Sequence, residues 1–384
     1  MPPQSPLSRL QRHFETLDDP RAHYRIRHRL VDMVMIAICA IICGADTWVE
    51  IEQYGLSKQS LLSAFLELPN GIPCHDTFER LFARLRPEQL QASFSSWFKD
   101  VYTMLEQAGI AIDGKALRGS SKPDESNSTI YMVSAWATES RLVLGQVKVN
   151  EKSNEITAIP ELLSLLDLKD AMVTIDAIGC QKTIAEQIVV QGGDYVLPVK
   201  GNQGNLHKDI MDWFERAEEK RFSGEQYDLY ATEDFEHGRE ESRRYWVLTD
   251  LNAIPGLREW TKVMGIGCIE SKRTVSFDTK IERRYFLLSS ALSAQGFAEV
   301  VRGHWGIENR LHWVLDVGFR EDHCKVARGH APENLAVLRH IALNLITQEK
   351  SIKAGTRAKR MRAGWDDQYL FRILTSHSQI KSKV

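Results

Sequence analysis

Ile110-Ala111-Ile112-Asp113 and, further along, Met172-Val173-Thr174-Ile175-Asp176 are short apolar runs that each finish in a carboxylate. Runs of this length, rich in Ile and Val, read as buried strands. A carboxylate at the end of a buried strand is costly to place unless it is paired, hydrogen-bonded or bound to a cation. Strand ends are also where α/β sheets tend to put their sites.

Around these two runs the pattern is that of a sheet. Residues 107–113, 130–138 and 141–149 read as strands, the last two joined by a tight turn at Glu139-Ser140. An amphipathic helix over 155–166, a strand over 171–176, a helix over 182–191 and a strand over 195–199 follow. The order β-β-β-α-β-α-β predicts an α/β fold, a mixed sheet with helices on both faces. After a polar helix over 204–220, alternating segments at 226–235, 239–248, 260–272 and 280–288 predict an antiparallel β-rich insertion at about 225–290. It lies between Asp176 and a third acid, Glu308, 132 residues later, and such a gap calls for a subdomain rather than a loop. Residues 294–317 then read as one helix, on which Phe297, Val301, Trp305, Glu308, His312 and Leu315 recur at spacings of three and four. That stripe faces the core, so Glu308 is expected on it. The plain alternative is a Glu paired with a core Arg or His, or one at the stripe's polar edge.

The first hundred residues are different. Apolar spacing predicts helices over 30–45, 49–54, 58–66, 76–85 and 87–102, hence an all-α N-terminal domain over 1–100 that precedes a catalytic domain over 101–349 and a basic tail over 350–384. Asp76 and Glu79 have capping-box spacing, and Phe78, Leu81, Phe82 and Leu85 form a stripe behind them. The helix pair around residues 69–73 suits either plain packing or a helix-turn-helix that meets DNA through Arg80, Arg84 and Arg86.

Composition sets limits. At 384 residues, 43% apolar and 26% charged, the chain is long enough for two or three domains and is not a disordered one. Six cysteines without a Cys-x-x-Cys pair argue against a disulfide framework and a thiolate zinc site, and suit a reducing cytoplasm. The longest uncharged apolar stretch, 33–45, falls short of the roughly 20 residues that span a membrane, and no secretory pattern opens the chain. A net charge of −2 weighs against a nucleic-acid partner, but charge distribution matters more than its sum. Lys350, Lys353, Arg357, Lys359, Arg360 and Arg362 form an acid-free run whose plain reading is a solvated tail. Arg9, Arg12, Arg21, Arg25, Arg27 and Arg29 outnumber the acids near the other end, so both ends could meet phosphate.

Converging carboxylates repel one another unless a cation neutralises them, and Mg²⁺ prefers oxygen ligands. Two such ions serve a nuclease or strand-transfer site, with Asp113 best placed to bridge them, Asp176 on one and Glu308 on the other. A rival uses His304, Glu308 and His312 to hold zinc, although His-Glu-x-x-His is absent. The DNA contacts expected are Lys115 and Arg118 after the first acid, Lys200 and Asn202 in the run Lys200-Gly201-Asn202-Gln203-Gly204-Asn205, and Arg302, His304, Asn309 and Arg310 around the third. Gln181 and Lys182 follow the second acid, and Trp305 and Trp313 could stack on bases. The Gly-rich run is equally a simple turn, and the tryptophans equally core.

The segments Ile112-Asp113-Gly114-Lys115, Ile175-Asp176-Ala177, Val199-Lys200-Gly201-Asn202-Gln203, His304-Trp305-Gly306-Ile307-Glu308-Asn309 and Leu311-His312-Trp313-Val314-Leu315-Asp316 together resemble the DDE transposases of the bacterial H-repeat-associated insertion-sequence family. The resemblance covers nearly the whole chain. It implies a ribonuclease-H-like core, Asp113, Asp176 and Glu308 as a DDE triad binding Mg²⁺ (or Mn²⁺), and DNA cleavage followed by strand transfer. It further implies inverted-repeat ends and target DNA as partners, a homodimer on DNA, and a place at the bacterial nucleoid. In related insertion-sequence transposases the Glu helix carries a Tyr, Arg and Lys, and here Val301, His304 and Leu315 stand at those positions, with Arg302 the nearest upstream guanidinium. Two other readings stay open: a non-catalytic DNA-binding protein derived from a transposase, and a host nuclease with the same core.

Overall fold

A computed structural model of the chain describes residues 6–101, 109–120, 129–149, 154–236, 239–252, 254–275 and 278–376. Its elements are α1 (Pro6–Glu15), α2 (Leu30–Ile42), α3 (Trp48–Ser57), α4 (Gln59–Leu62), α5 (His75–Phe82), α6 (Pro87–Val101), β1 (Gly109–Leu117), β2 (Ile130–Ala137), β3 (Leu142–Lys148), α7 (Glu155–Ser164), β4 (Met172–Ile175), α8 (Lys182–Val190), β5 (Asp194–Val199) and α9 (Gly204–Glu219). Then follow β6 (Tyr227–Glu236), β7 (Arg239–Leu248), β8 (Gly265–Val275), β9 (Asp278–Leu288), α10 (Ala294–Gly306), a π-helical turn (Ile307–His312), α11 (Trp313–Phe319), α12 (Ala331–Gln348), α13 (Thr356–Trp365) and α14 (Asp367–Thr375).

The strands form one sheet in the order β3-β2-β1-β4-β5-β9-β8-β7-β6. Its first five strands, β3 to β1 antiparallel and β1, β4, β5 parallel, make the ribonuclease-H-like arrangement. The β-rich insertion is not a separate subdomain. Its last strand, β9, pairs with β5 from Val196↔Leu288 to Val199↔Tyr285 and so carries the sheet onward. The reason is the edge of β5, whose unpaired backbone groups would otherwise face solvent.

Alternation along β1 assigns its two faces. Ile110 and Ile112 join the core under α7, α8 and α9. Ala111 joins the core of the opposite face, with Trp136 and the helices of both chain termini. Asp113 and Lys115 follow Ala111 at intervals of two, on this second face.

The N-terminal helices do not stand apart as a free module. Nearly all of α2 is buried, it packs on α12, and both belong to one core with α1, α5, α6, α11, α13 and α14. A near-uniformly apolar helix needs neighbours all round, and six short helices cannot supply them alone. The apolar stretch 33–45 lies mostly within α2, and no helix among the described residues is long and apolar enough to cross a membrane.

Three local readings change. The helix expected over 58–66 shrinks to the single turn of α4, and the longer helix ahead of α5 that packs against it is α3. The capping box is at Thr47 and Glu50 on α3, whereas α5 starts at His75, whose N–H is taken by Glu52 of α3 at 2.9 Å. Only part of the basic run is solvated: Lys350, Lys353, Arg357 and Arg362 are exposed, whereas Lys359 and Arg360 are buried. Within α13 the Lys359 Nζ donates to the carbonyls of Ile346 and Glu349, and Arg360 donates to Ile41 and Ala45 carbonyls and the Asp46 carboxylate while lying over the Phe319 ring. Both are buried because they satisfy carbonyls where helix ends converge. All six cysteines are free.

Candidate active site

The register of β1 and β4 brings two acids together. The parallel pairing ends at Ile112↔Ile175, so Asp113 and Asp176 are the next residues on neighbouring strands. Only β4 ends there. β1 runs on to Leu117, with Asp113 opposite Ser134 of β2, so Asp113 sits within its strand at the point where one neighbour has stopped. Asp176 leaves β4 and caps the next turn, its Oδ1 accepting the N–H groups of Ile178 and Gly179 at 3.1 and 3.3 Å.

Glu308 comes from the long helical segment opposite. Around it the helix widens into the π turn, in which the Trp313 N–H bonds the Glu308 carbonyl five residues back. The widening shifts the inward stripe to Ile307, Leu311, His312 and Leu315 and leaves Glu308 exposed, not buried as the period of 3.6 predicts. Glu308 nonetheless lines the same cavity as the other two acids. This cavity, about 220 Å³, is walled by Asp113, Asp176, Glu308, Thr174, Lys200, Arg284, His304 and Trp305 together with Val196, Pro198 and Phe286. Gly306 sets the distance between helix and sheet: a Cβ there would stand 2.5 Å from Cζ3 of the buried Trp136 on β2.

The acids are poorly compensated. Burial first, then the Asp176 charge, with Glu155 and Glu308 adding, pushes Asp113 up to about 7 against the pull of the Gly114 N–H. Burial likewise raises Asp176 despite its two N–H bonds and the nearby Lys200. Glu155, the first residue of α7, is a fourth acid that the sequence shows only as a helix start. Its Oε1 fills the space that a Cβ of Gly114 would need, so its carboxyl packs directly on the backbone beside Asp113. Burial and Asp176 raise it too. Among the described residues, no three His, Cys, Asp or Glu are gathered closely enough to hold a metal ion. The acids face one cavity without closing into a ligand set.

The other expected site residues separate into groups. Lys200 lines the cavity, and Asn202 ties its loop to the Asp176 turn by donating to the Ala177 carbonyl at 2.6 Å. His304 lines the cavity, but its Nδ1 is 2.9 Å from Thr174 Oγ1, and burial lowers its pKa to about 4. It is a neutral wall residue, and since His312 faces Asp113 instead, the zinc grouping of His304, Glu308 and His312 does not form. Lys115 is turned inward, its Nζ donating to Asp316 at 2.5 Å and Glu321 at 2.7 Å, so it is not available to DNA. Arg118 is exposed, 3.7 Å from Asp322, and Arg302 is exposed, 3.3 Å from Asp234. Asn309 and Arg310 line a second cavity, with Arg141 and Thr356. Trp313 is exposed. The guanidinium of the acid cavity is Arg284 of β9, 5.7 Å over the Trp305 ring, which the sequence motifs do not single out. The signal was available in the period of two, since Arg284 shares a face with Phe286.

The family described as Transposase DDE domain matches residues 105–345, and the one described as DDE_Tnp_1-associated matches residues 11–98. The "H repeat-associated putative transposase YhhI" of Escherichia coli (strain K12) is 40% identical over 374 residues, covering 96% of this chain and 98% of that protein. The "Putative transposase YncI" of Escherichia coli O157:H7 is 38% identical over 375 residues, 96% of this chain and 95% of the relative. The "H repeat-associated putative transposase YbfD" of strain K12 is 41% identical over 241 residues, 63% of this chain and 94% of the relative. A ribonuclease-H-like sheet that brings two strand acids and a helix Glu to one cavity, in a chain that two of these relatives match over 96% of its length, places it in the H-repeat-associated DDE transposase family.

Proposed function

We propose that this protein is the transposase of an insertion sequence: it binds the ends of its own element, cuts a DNA strand there and joins the freed 3′ hydroxyl to a target. The observation that carries the proposal is the meeting of Asp113, Asp176 and Glu308, from three distant segments, at one cavity. The donor set is carboxylate oxygen, which fits a hard cation such as Mg²⁺ or Mn²⁺ and does not favour zinc. The raised pKa of Asp113, with like charges beside it, is the further sign of a site that accepts positive charge. Asp113, Asp176 and Glu308 would hold the metal, which when bound supplies Lewis-acid stabilisation of the phosphodiester and of the attacking and leaving oxygens.

The remaining work falls to the chain itself. Lys200 at the cavity wall and Arg284 offer positive charge to a phosphate, and the partly exposed Trp305, with Arg284 over its ring, offers aromatic surface to a base. Val196, Pro198 and Phe286 keep one wall dry. In the first step a water oxygen bonds to phosphorus as the P–O3′ bond breaks, leaving a 3′ hydroxyl on the element. In the second, that hydroxyl bonds to a target phosphorus as the target's P–O3′ bond breaks. One P–O bond is exchanged for another each time, so no outside energy source is needed. Two copies would hold the two ends of one element, at the nucleoid where the DNA lies.

Purified protein with Mg²⁺ and the DNA that borders its own gene should nick at the element ends. Equal nicking by an Asp113→Asn variant would defeat the assignment. Specific binding without cleavage in any divalent ion would point to a non-catalytic DNA-binding protein, and cleavage with no preference for the ends to a simple nuclease.

A further inference from the structure

His312 lies one turn beyond Glu308 in the π turn, and its Nδ1 stands 3.4 Å from Asp113 Oδ2. Catalytic hydrogen bonds are often this long before substrate tightens them. The ring is buried. A neutral imidazole has one N–H, and beside a carboxylate that proton belongs on Nδ1, which leaves Nε2 an acceptor. Nε2 is itself buried and without a partner among the described residues, so no competing acceptor draws the proton to that side.

Behind His312 lies a group of charges that cancel. Lys115 of β1 holds Asp316 of α11 and Glu321, and Arg339 of α12 is 3.7 Å from the other Glu321 oxygen. His340, also of α12, completes the surroundings, held neutral by burial. Two cations meet two anions, so the cluster behind the ring is balanced within itself. The cluster also ties β1, α11 and α12 together around the ring.

A charged donor at this point would neutralise Asp113 and compete with any cation for it. A neutral donor gives the carboxylate a direction and leaves its charge. We infer that His312 is a positioning residue for Asp113: its Nδ1–H holds Oδ2 so that the carboxylate stays turned into the cavity against the repulsion of Asp176. This rests on the reading of Asp113 as a catalytic acid, and its test separates the two.

In the full chain labelled with ¹⁵N-histidine, metal-free and at pH 9, where Asp113 is a carboxylate, the ring assigned by its loss in His312→Asn should show the neutral Nδ1–H tautomer. An Nε2–H tautomer would overturn the inference. In Mg²⁺-dependent nicking, His312→Ala should slow cleavage about 10- to 100-fold, as loss of a partner that orients a ligating carboxylate does, with DNA affinity unchanged. His312→Asn, whose amide nitrogen falls where Nδ1 was, should recover most of that loss. Equal loss in both variants, at melting temperatures like that of the native chain, would overturn positioning. If the native chain nicks no DNA, the transposase reading fails, and the tautomer still decides whether His312 serves Asp113.

Discussion

Asp113 and Lys115 share one face of β1, and the fold treats their charges in opposite ways. Lys115 is met by Asp316 and Glu321 at hydrogen-bond distance, and these hold it above its usual range even though burial alone would lower it. Glu321 is held below its usual range by Lys115 and Arg339, against a burial that alone would raise it. Asp113, two residues earlier, faces Asp176, Glu155 and Glu308, and stands far above the ordinary carboxylate range. A balanced buried cluster holds parts together. An unbalanced one is held in place by the rest of the fold, and it is ready for a positively charged partner. The contrast separates the acids whose charge the fold compensates from those whose charge it leaves open, the latter being the ones proposed for chemistry; of all these acids Glu308 alone is exposed.

The sharpest way to break the contrast is at Asp113. Asp113→Asn should lower nicking by about a thousandfold, the several kcal/mol expected when a metal-binding acid is lost. The same change should stabilise the metal-free protein at pH 8. The sign follows from the raised pKa: between the ordinary value of 3.8 and about 7 the native state keeps a proton that the unfolded chain releases, so stability falls as pH rises through that window. Urea unfolding of the native chain and the variant at pH 5 and pH 8 measures it. A native midpoint that does not fall relative to Asp113→Asn would contradict the unbalanced reading.

Lys115→Met tests the other side. It leaves Asp316 without its cation and Glu321 with Arg339 alone, and should cost about 3 to 5 kcal/mol in urea unfolding. An unchanged midpoint would mean that the cluster is not the tie proposed. Gly306→Ala should cost about 1 to 3 kcal/mol, because its methyl would meet the rigid buried ring of Trp136. It should also slow nicking by moving the π turn that carries Glu308, and full activity would show that the helix distance is not critical. The smallest effect is expected at Lys200→Ala. Being at the cavity wall and exposed, Lys200 should contribute about one unit to the salt slope of DNA binding, read by repeating the titration at several salt concentrations.

The strands of the sheet were legible because alternation and short apolar runs record burial directly; β4 and β5 fall close to those patterns, while β1 continues past Asp113 to Leu117. Asp113 and Asp176 were legible for the same reason, since an acid closing an apolar run is visible in one dimension. Glu308 was legible from its motif, while its place on a helical stripe was misjudged, because a π turn leaves no mark in a pattern of period 3.6. Lys359 and Arg360 looked like tail residues since the carbonyls that bind them belong to Ile41, Ala45 and Ile346, distant or around a bend in sequence. Glu155 and Arg284 escaped notice for the same cause: each reaches the site from an element that reads locally as ordinary.

By itself the sequence determined the order of helices and strands, the class of the fold, the family and the candidate acids, because each is written in neighbouring residues or in motifs. Only the tertiary structure decided which charges are answered. Whether Lys115 meets DNA or Glu321, whether Asp113 meets a counter-ion or more acids, and whether β6 to β9 stand apart or extend the sheet depend on partners up to two hundred residues away. Such pairings are set by packing in three dimensions, and charge compensation, which falls off with distance in space rather than along the chain, follows them.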